Sequence, residues 1–194
     1  MPTDQEIRQT KRIVIIGTNG TGKTTLLHKI IQNAQQKTLI ITPYDNEWNE
    51  RDPNGNELFP LTTLSRPEDY NFSGARRHIF DPERTLKCIT KFTRGMIVFD
   101  DCRVYLDAKT DKSIHSLLVS SRQKMVDEVF VAHGFTEVPP KVFTFATEYI
   151  LFRTEDNITR RRIFVKNYPL IERKQREVNR IAVYNPFHFE HFVL

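Results

Sequence analysis

Apolar residues run along this chain in short unbroken blocks separated by stretches of helical spacing. Lys11–Ile16 is a β-branched run behind a basic pair and predicts a buried strand. It ends in the glycine-rich stretch 17–22, after which Leu26, Leu27, Ile30, Ile31 and Ala34 recur on one helical face. Lys37–Thr42 is a second apolar strand, stopped by Pro43. The stretch from Tyr44 to about Arg76 is rich in Pro, Asn, Gly and charge. It is long for a plain connection, so 43–76 is expected to be a functional loop or small insertion. His78–Asp81 predicts a third strand, and Pro82 suits the first position of a helix running to about Phe92. Gly95–Asp101 is a fourth strand, apolar until it meets two acids. Asp111 is placed to cap a helix that carries Ile114, Leu117, Leu118 and Met125 on one face. Glu128–Ala132 and Glu148–Arg153 predict a fifth and a sixth strand, with a short helix after Pro139-Pro140 between them. Arg161–Lys166 reads as another strand and Leu170–Ile181 as a late helix. The aromatic tail from Tyr184 fits no periodicity. Strands alternating with helices predict an α/β sandwich whose mostly parallel sheet is covered on both faces.

At 194 residues the chain fits one domain. Hydrophobic residues at 39% and charged residues at 27% exclude a disordered or fibrous chain. No apolar run approaches the roughly 20 residues of a membrane span. The polar tail over 1–10 has no stretch that suits a signal peptide. Two cysteines, Cys88 and Cys102, make no secreted disulfide framework and are expected as free thiols in a reducing compartment. The net charge of +5 leans toward an acidic partner such as nucleic acid.

The chemistry begins at Gly17-Thr18-Asn19-Gly20-Thr21-Gly22-Lys23-Thr24, a complete G-x-x-x-x-G-K-[ST] phosphate loop. Its glycines let successive backbone N–H groups curl around a phosphate at a helix N-terminus, and Gly17 through Thr25 are the expected nucleotide-binding residues. Lys23 reaches the β- and γ-phosphates and the Thr24 hydroxyl binds Mg2+. A dinucleotide-binding turn would need G-x-G-x-x-G, which Gly17-Thr18-Asn19 breaks, so the expected ligand is a nucleoside triphosphate with Mg2+. Downstream, Met96-Ile97-Val98-Phe99-Asp100-Asp101 reads as the acidic partner strand. Asp100 would hold Mg2+, and Asp101 would polarise the attacking water as general base.

A carboxylate directly after the metal-binding one separates machines that hydrolyse ATP from kinases that only position it. With these two motifs the chain resembles the additional-strand P-loop ATPases of the HerA/FtsK superfamily, which usually carry Glu where this chain has Asp101. The resemblance implies a RecA-like fold and a polar sensor of the γ-phosphate after the next strand, here His133 following Val129–Ala132. Ser120-Ser121-Arg122-Gln123 is similar to the arginine segment that precedes the sensor strand in viral DNA-packaging and filamentous-phage (Zot-like) assembly ATPases. It makes Arg122 a candidate finger for a neighbouring subunit's nucleotide. Arg122 stands about 80° from Ile114 on a 3.6-residue helix, at the border of the apolar face. The likeness runs from about Lys11 to Arg153.

Arg160-Arg161-Arg162, and a ridge of Arg173, Arg176 and Arg180 on the late helix, suit a phosphate backbone read without sequence. Tyr44 and Trp48 offer rings that can stack on a base. The resemblance implies an ATP-driven motor moving double-stranded DNA. Its most specific form is a ring of identical subunits that packages a viral genome at a capsid or procapsid vertex, in host cytoplasm and on the virion. One domain would then span 1–194, with 154–194 as a basic C-terminal segment. The alternatives are a nucleoside or nucleotide kinase with Arg160–Arg162 as a lid, and a Zot-like assembly ATPase, which would normally carry a membrane span.

Overall fold

Residues 9–106 and 111–194 are described by a computed structural model, with Pro67 and Asp111 described by their backbone alone. Most of the expected polar tail over 1–10 therefore lies outside the described residues, as does the capping side chain expected of Asp111.

Six parallel strands form the sheet: β1 (Arg12–Ile16), β2 (Thr38–Thr42), β3 (Ala75–Ile79), β4 (Gly95–Phe99), β5 (Val126–Ala132) and β6 (Glu148–Phe152). A seventh, β7 (Phe189–Val193), joins the edge antiparallel to β6. The order is β3-β2-β4-β5-β1-β6-β7. Every residue of β2, β4, β5 and β6 is buried, as strands covered on both faces must be, and this is why these strands read as unbroken apolar runs.

Five helices cover the sheet: α1 (Lys23–Ala34), α2 (Thr85–Ile89), α3 (Asp111–Lys124), α4 (Pro140–Phe145) and α5 (Tyr168–Ile181). Alternate residues of one strand serve two cores. Val14 and Ile16 of β1 pack with Ile114 and Leu118 of α3, Val142 of α4 and Ile171 of α5. Ile13 and Ile15 pack with Leu27 and Ile31 of α1 and with Trp48 and Phe59 of the 43–76 segment. The result is a three-layer α/β sandwich in which β5 stands between β1 and β4. No helix of the described residues is long and apolar enough to cross a membrane.

Local chemistry shifts some expected elements. The helix expected from Pro82 begins only at Thr85, because the Asp81 side chain takes the N–H groups of Glu83 and Arg84 and holds a turn ahead of it. Met125 is not on the buried face of α3. It leaves the helix with φ 55° and lies exposed. The strand expected over Arg161–Lys166 is absent: the carbonyl of Arg161 accepts from Phe164 and Val165 nearby, so the backbone closes on itself as turns. The aromatic tail supplies the missing edge instead, and Phe189–Val193 alternates between exposed and half-buried positions as an edge strand does.

Candidate functional site

The phosphate loop connects β1 to α1 at the C-terminal ends of the strands. Its first residues are pinned by the strands on either side of β1: Gly17 N–H donates to Ala132 O at 3.2 Å, and Thr18 N–H to Arg153 O at 2.8 Å. The Thr21 hydroxyl donates to Thr18 O at 2.8 Å and closes the curl. Gly17 is forced by contact, since a β-carbon there would lie 2.4 Å from that of Phe152. Gly22 is forced by conformation, standing at φ 94° as the cap of α1, a left-handed geometry that costs glycine least.

Lys23, buried in the curl, donates to Gly17 O and, at 2.9 Å, to Thr18 O. Burial lowers its pKa, against the pull of the carboxylates of Asp100, Asp101 and Glu137. Its amine thus rests on its own loop's carbonyls, in a place where a phosphate oxygen is the natural competitor.

Asp100 and Asp101 follow β4. The Asp100 carboxylate accepts from the Trp48 indole N–H at 2.7 Å and from Asp101 N–H at 3.1 Å. Burial pushes its pKa up to about 6, with the Trp48 hydrogen bond opposing and the nearby Glu47 carboxylate adding to the rise. Asp101 sits at φ 43°, ψ 51°, in the left-handed region that ends the strand. Its Oδ1 lies 3.4 Å from His133 Nε2 and 3.4 Å from Arg103 Nε. That oxygen is buried and makes no hydrogen bond among the described residues.

His133, the first residue after β5, spans the two charged groups. Its Nδ1 is 3.5 Å from Lys23 Nζ, while its Nε2 faces Asp101. Burial first, then the Lys23 charge, lowers its pKa, so the ring is neutral at neutral pH. An ammonium at Nδ1 requires a lone pair there, which puts the imidazole proton on Nε2. Glu137 completes the arrangement by accepting from His133 N–H at 2.8 Å and from Arg103 Nη1 at 2.9 Å.

These groups surround one cavity of about 580 Å3. Asn19, Gly20, Gly22, Lys23, Thr24 and Thr25 form one wall, and Asp100, Asp101 and His133 another. Tyr44, Glu47, Arg103, Val131, Ala132 and Phe187 complete the lining. The volume suits a small-molecule ligand. The Thr24 hydroxyl and the Asp100 carboxylate share the cavity, and hard oxygens in small number fit Mg2+, which takes one or two protein ligands beside phosphate. The buried Asp101 Oδ1 is held only by the two longer contacts to Arg103 and His133, without a hydrogen bond to either among the described residues.

Arg122 is not brought to this cavity. It lies exposed in the last turn of α3, ahead of the N-terminal end of β5, whereas His133 follows the C-terminal end. Seven extended residues separate the two ends by about 20 Å. Trp48 is unavailable for stacking on a ligand, being buried against His28 at 4.6 Å and Phe59 at 5.1 Å, while Tyr44 lines the cavity half-exposed. The basic cluster is split: Arg161 donates to the carbonyls of Phe135 and Thr136, Arg162 lies over the Tyr168 ring, and Arg160 is exposed. Arg173, Arg176 and Arg180 all face solvent on α5. Glu47, Arg103, Glu137 and Phe187 were not anticipated from the sequence. They lack a motif of their own: Glu47, Arg103 and Phe187 reach the cavity only through the fold, and Glu137 acts behind it by holding His133 and Arg103.

A phosphate loop on β1, an acidic strand β4 and a strand inserted between them define the additional-strand P-loop NTPase fold. No family model matches the sequence, and comparison with curated proteins returns no significant match. Solved structures do share the fold. The genome packaging NTPase B204 from Sulfolobus turreted icosahedral virus 2, in complex with sulfate, superposes with a TM-score of 0.66 at 14% identity, over 96% of this chain and 92% of that one. Its AMPPCP complex gives 0.66 at 13% identity, over 94% and 92%. The DNA-packaging ATPase B204 from Sulfolobus turreted icosahedral virus gives 0.62 at 14%, over 93% and 91%.

Proposed function

We propose that the chain is a Mg2+-dependent ATPase that moves double-stranded DNA into a viral capsid, working as a ring of identical subunits. One observation carries the reading: Lys23, Asp100, Asp101 and a neutral His133 converge on one cavity beside a phosphate loop. The likeness of fold to a packaging NTPase solved with an ATP analogue supports ATP as ligand and packaging as task. We take residues 1–194 as one ATPase domain, with 43–76 and 154–194 as parts of it. The capsid vertex is its partner, and host cytoplasm and virion are its places of work.

The roles follow from the contacts. Lys23 leaves the carbonyls of Gly17 and Thr18 and pairs with the β- and γ-phosphates, which the backbone N–H groups of residues 18–25 surround. Thr24 and Asp100 hold the Mg2+, which when bound neutralises charge on the phosphates. Asp101 takes the proton of the attacking water, and the contacts to Arg103 and His133 hold its carboxylate at the cavity wall. The Nε2 proton of His133 reports the γ-phosphate by choosing between it and Asp101.

The test is steady-state ATPase activity with and without duplex DNA, beside mass determination in solution. DNA should stimulate turnover, and Lys23→Ala should abolish it and weaken nucleotide binding. Asp101→Asn should still bind nucleotide but slow hydrolysis by roughly 10²–10⁴, the scale of a lost general base. Near wild-type turnover in Lys23→Ala would end the reading. A monomer that DNA leaves unstimulated would favour a kinase, although Arg161, committed to two backbone carbonyls, makes a poor lid residue.

A further inference from the structure

A nucleoside triphosphate has a charged end and a flat, weakly polar end, and the cavity has matching ends. Lys23, His133 and the two aspartates define where the terminal phosphate goes. Two aromatic rings are left on the lining, Tyr44 and Phe187. Tyr44 follows β2, which pairs with the acidic strand β4, so it stands on the terminal-phosphate side. Phe187 precedes β7, which lies beyond β6 on the opposite flank of β1, so it stands on the far side of the phosphate loop. There its Cδ1 lies 3.5 Å from where a β-carbon on Gly22 would be, against the cap of α1.

The ring is 63% exposed, a large apolar face left in water at the rim of a polar cavity. It is nevertheless held in place. His188 N–H donates to Asn185 O at 2.9 Å and closes a turn in which Pro186 and Phe187 are the central residues. The Asn185 side chain accepts from Phe187 N–H at 3.2 Å, and Asn185 N–H donates to Ile181 O, which ties the turn to α5. On the other side Phe189 packs on Phe152, ring centroids 5.1 Å apart. With the backbone of the turn fixed, only the side-chain torsions of Phe187 remain to be ordered when a stacking partner arrives.

We infer that Phe187 is the platform on which the base of the bound nucleotide stacks, an inference that rests on the nucleotide-binding reading of the cavity. Stacking uses the face that every base presents, so the platform selects for a base over none more than for one base over another.

The test is calorimetric titration of the full chain, in the presence of Mg2+, with a non-hydrolysable ATP analogue and separately with inorganic tripolyphosphate. Phe187→Ala should weaken the analogue by about 5- to 100-fold, the range for one base–aromatic stack, and leave tripolyphosphate within a factor of two. Phe187→Trp should restore the analogue. Tyr44→Ala, on the other wall, should change both affinities by the same factor. Equal weakening of both ligands by Phe187→Ala overturns the inference, as does an unchanged analogue or a loss specific to the analogue in Tyr44→Ala. If the unaltered chain binds neither ligand, the nucleotide reading fails and takes the inference with it. If tripolyphosphate binds and Phe187→Ala is silent, only the inference fails.

Discussion

Glu128 carries a carboxylate into a place that water does not reach. Its Oε2 accepts from Arg12 Nε at 3.0 Å, its side chain is 0% exposed and its Oε1 has no hydrogen-bond partner among the described residues. Burial pushes its pKa up to about 7 in spite of the Arg12 charge. Between pH 4.5 and 7 the folded chain therefore keeps a proton that the unfolded chain has lost, and stability falls as pH rises through that window. His78 and His133, both lowered by burial, pull the other way as pH climbs toward the ordinary histidine range. The informative quantity is thus a difference. Glu128→Gln, which can still accept from Arg12, should gain on the order of 2 kcal/mol over wild type between pH 5 and 8 in urea unfolding. Parallel pH profiles of the two proteins would show that Glu128 is ionised throughout. The sequence offered no hint of this residue's state, because β5 reads the same whether or not a carboxylate is buried in it. The phosphate loop was readable for the opposite reason. Its chemistry depends on neighbours in the chain, so Gly17 through Thr24 appear together, whereas Glu137 and Arg103 matter only because separate elements meet.

Among the elements, α5 and β7 show where pattern reading succeeds and where it stops. The spacing of Ile171 and Val178 against Arg173, Arg176 and Arg180 made α5 legible, and the structure buries the first two and exposes the arginines. Gln175 and Asn179 seat its inner face by donating to the carbonyls of Asp156 and Thr154. Residues 161–166 deceived, because a β-branched, aromatic run makes a strand only when its backbone is left to pair with a sheet, and here the Arg161 carbonyl takes the N–H groups of Phe164 and Val165. If the arginine ridge lies on DNA, replacing all three by Gln should make the log–log salt dependence of binding shallower by up to about three units, at about 0.9 per phosphate. Arg176 already pairs with Glu172 at 3.2 Å, so a loss of two units is as telling as three. A slope unchanged in the triple variant, measured by anisotropy of labelled duplex, would mark the ridge as a solvated face. Basal hydrolysis should survive, since none of the three lines the cavity.

On the scale of the molecule, the sheet has a chemical end and a plain end. The cavity lies where the strands finish, and Arg122 sits where β5 begins. An arginine so placed can act on a nucleotide only in a neighbouring copy. If Arg122 is a finger supplied in trans, Arg122→Ala should bind ATP normally and lose hydrolysis by about 10³ or more, the scale of an arginine finger. Mixed with Lys23→Ala subunits it should regain activity, because the mixture creates interfaces with an intact loop on one side and an intact arginine on the other. A confirmed mixed ring that stays inactive would remove Arg122 from the chemistry. The strand joining these two ends lies inside the sheet, laddered to β1 on one edge and β4 on the other, with every residue buried. Such a strand has no slack. A densely packed interior resists compression, so a shift at His133 cannot be absorbed along β5 and must emerge at the Arg122 end as movement of the whole body. A machine made of this part would work as a lever rather than as a spring, with its stroke in the joints between subunits and none in the subunit itself.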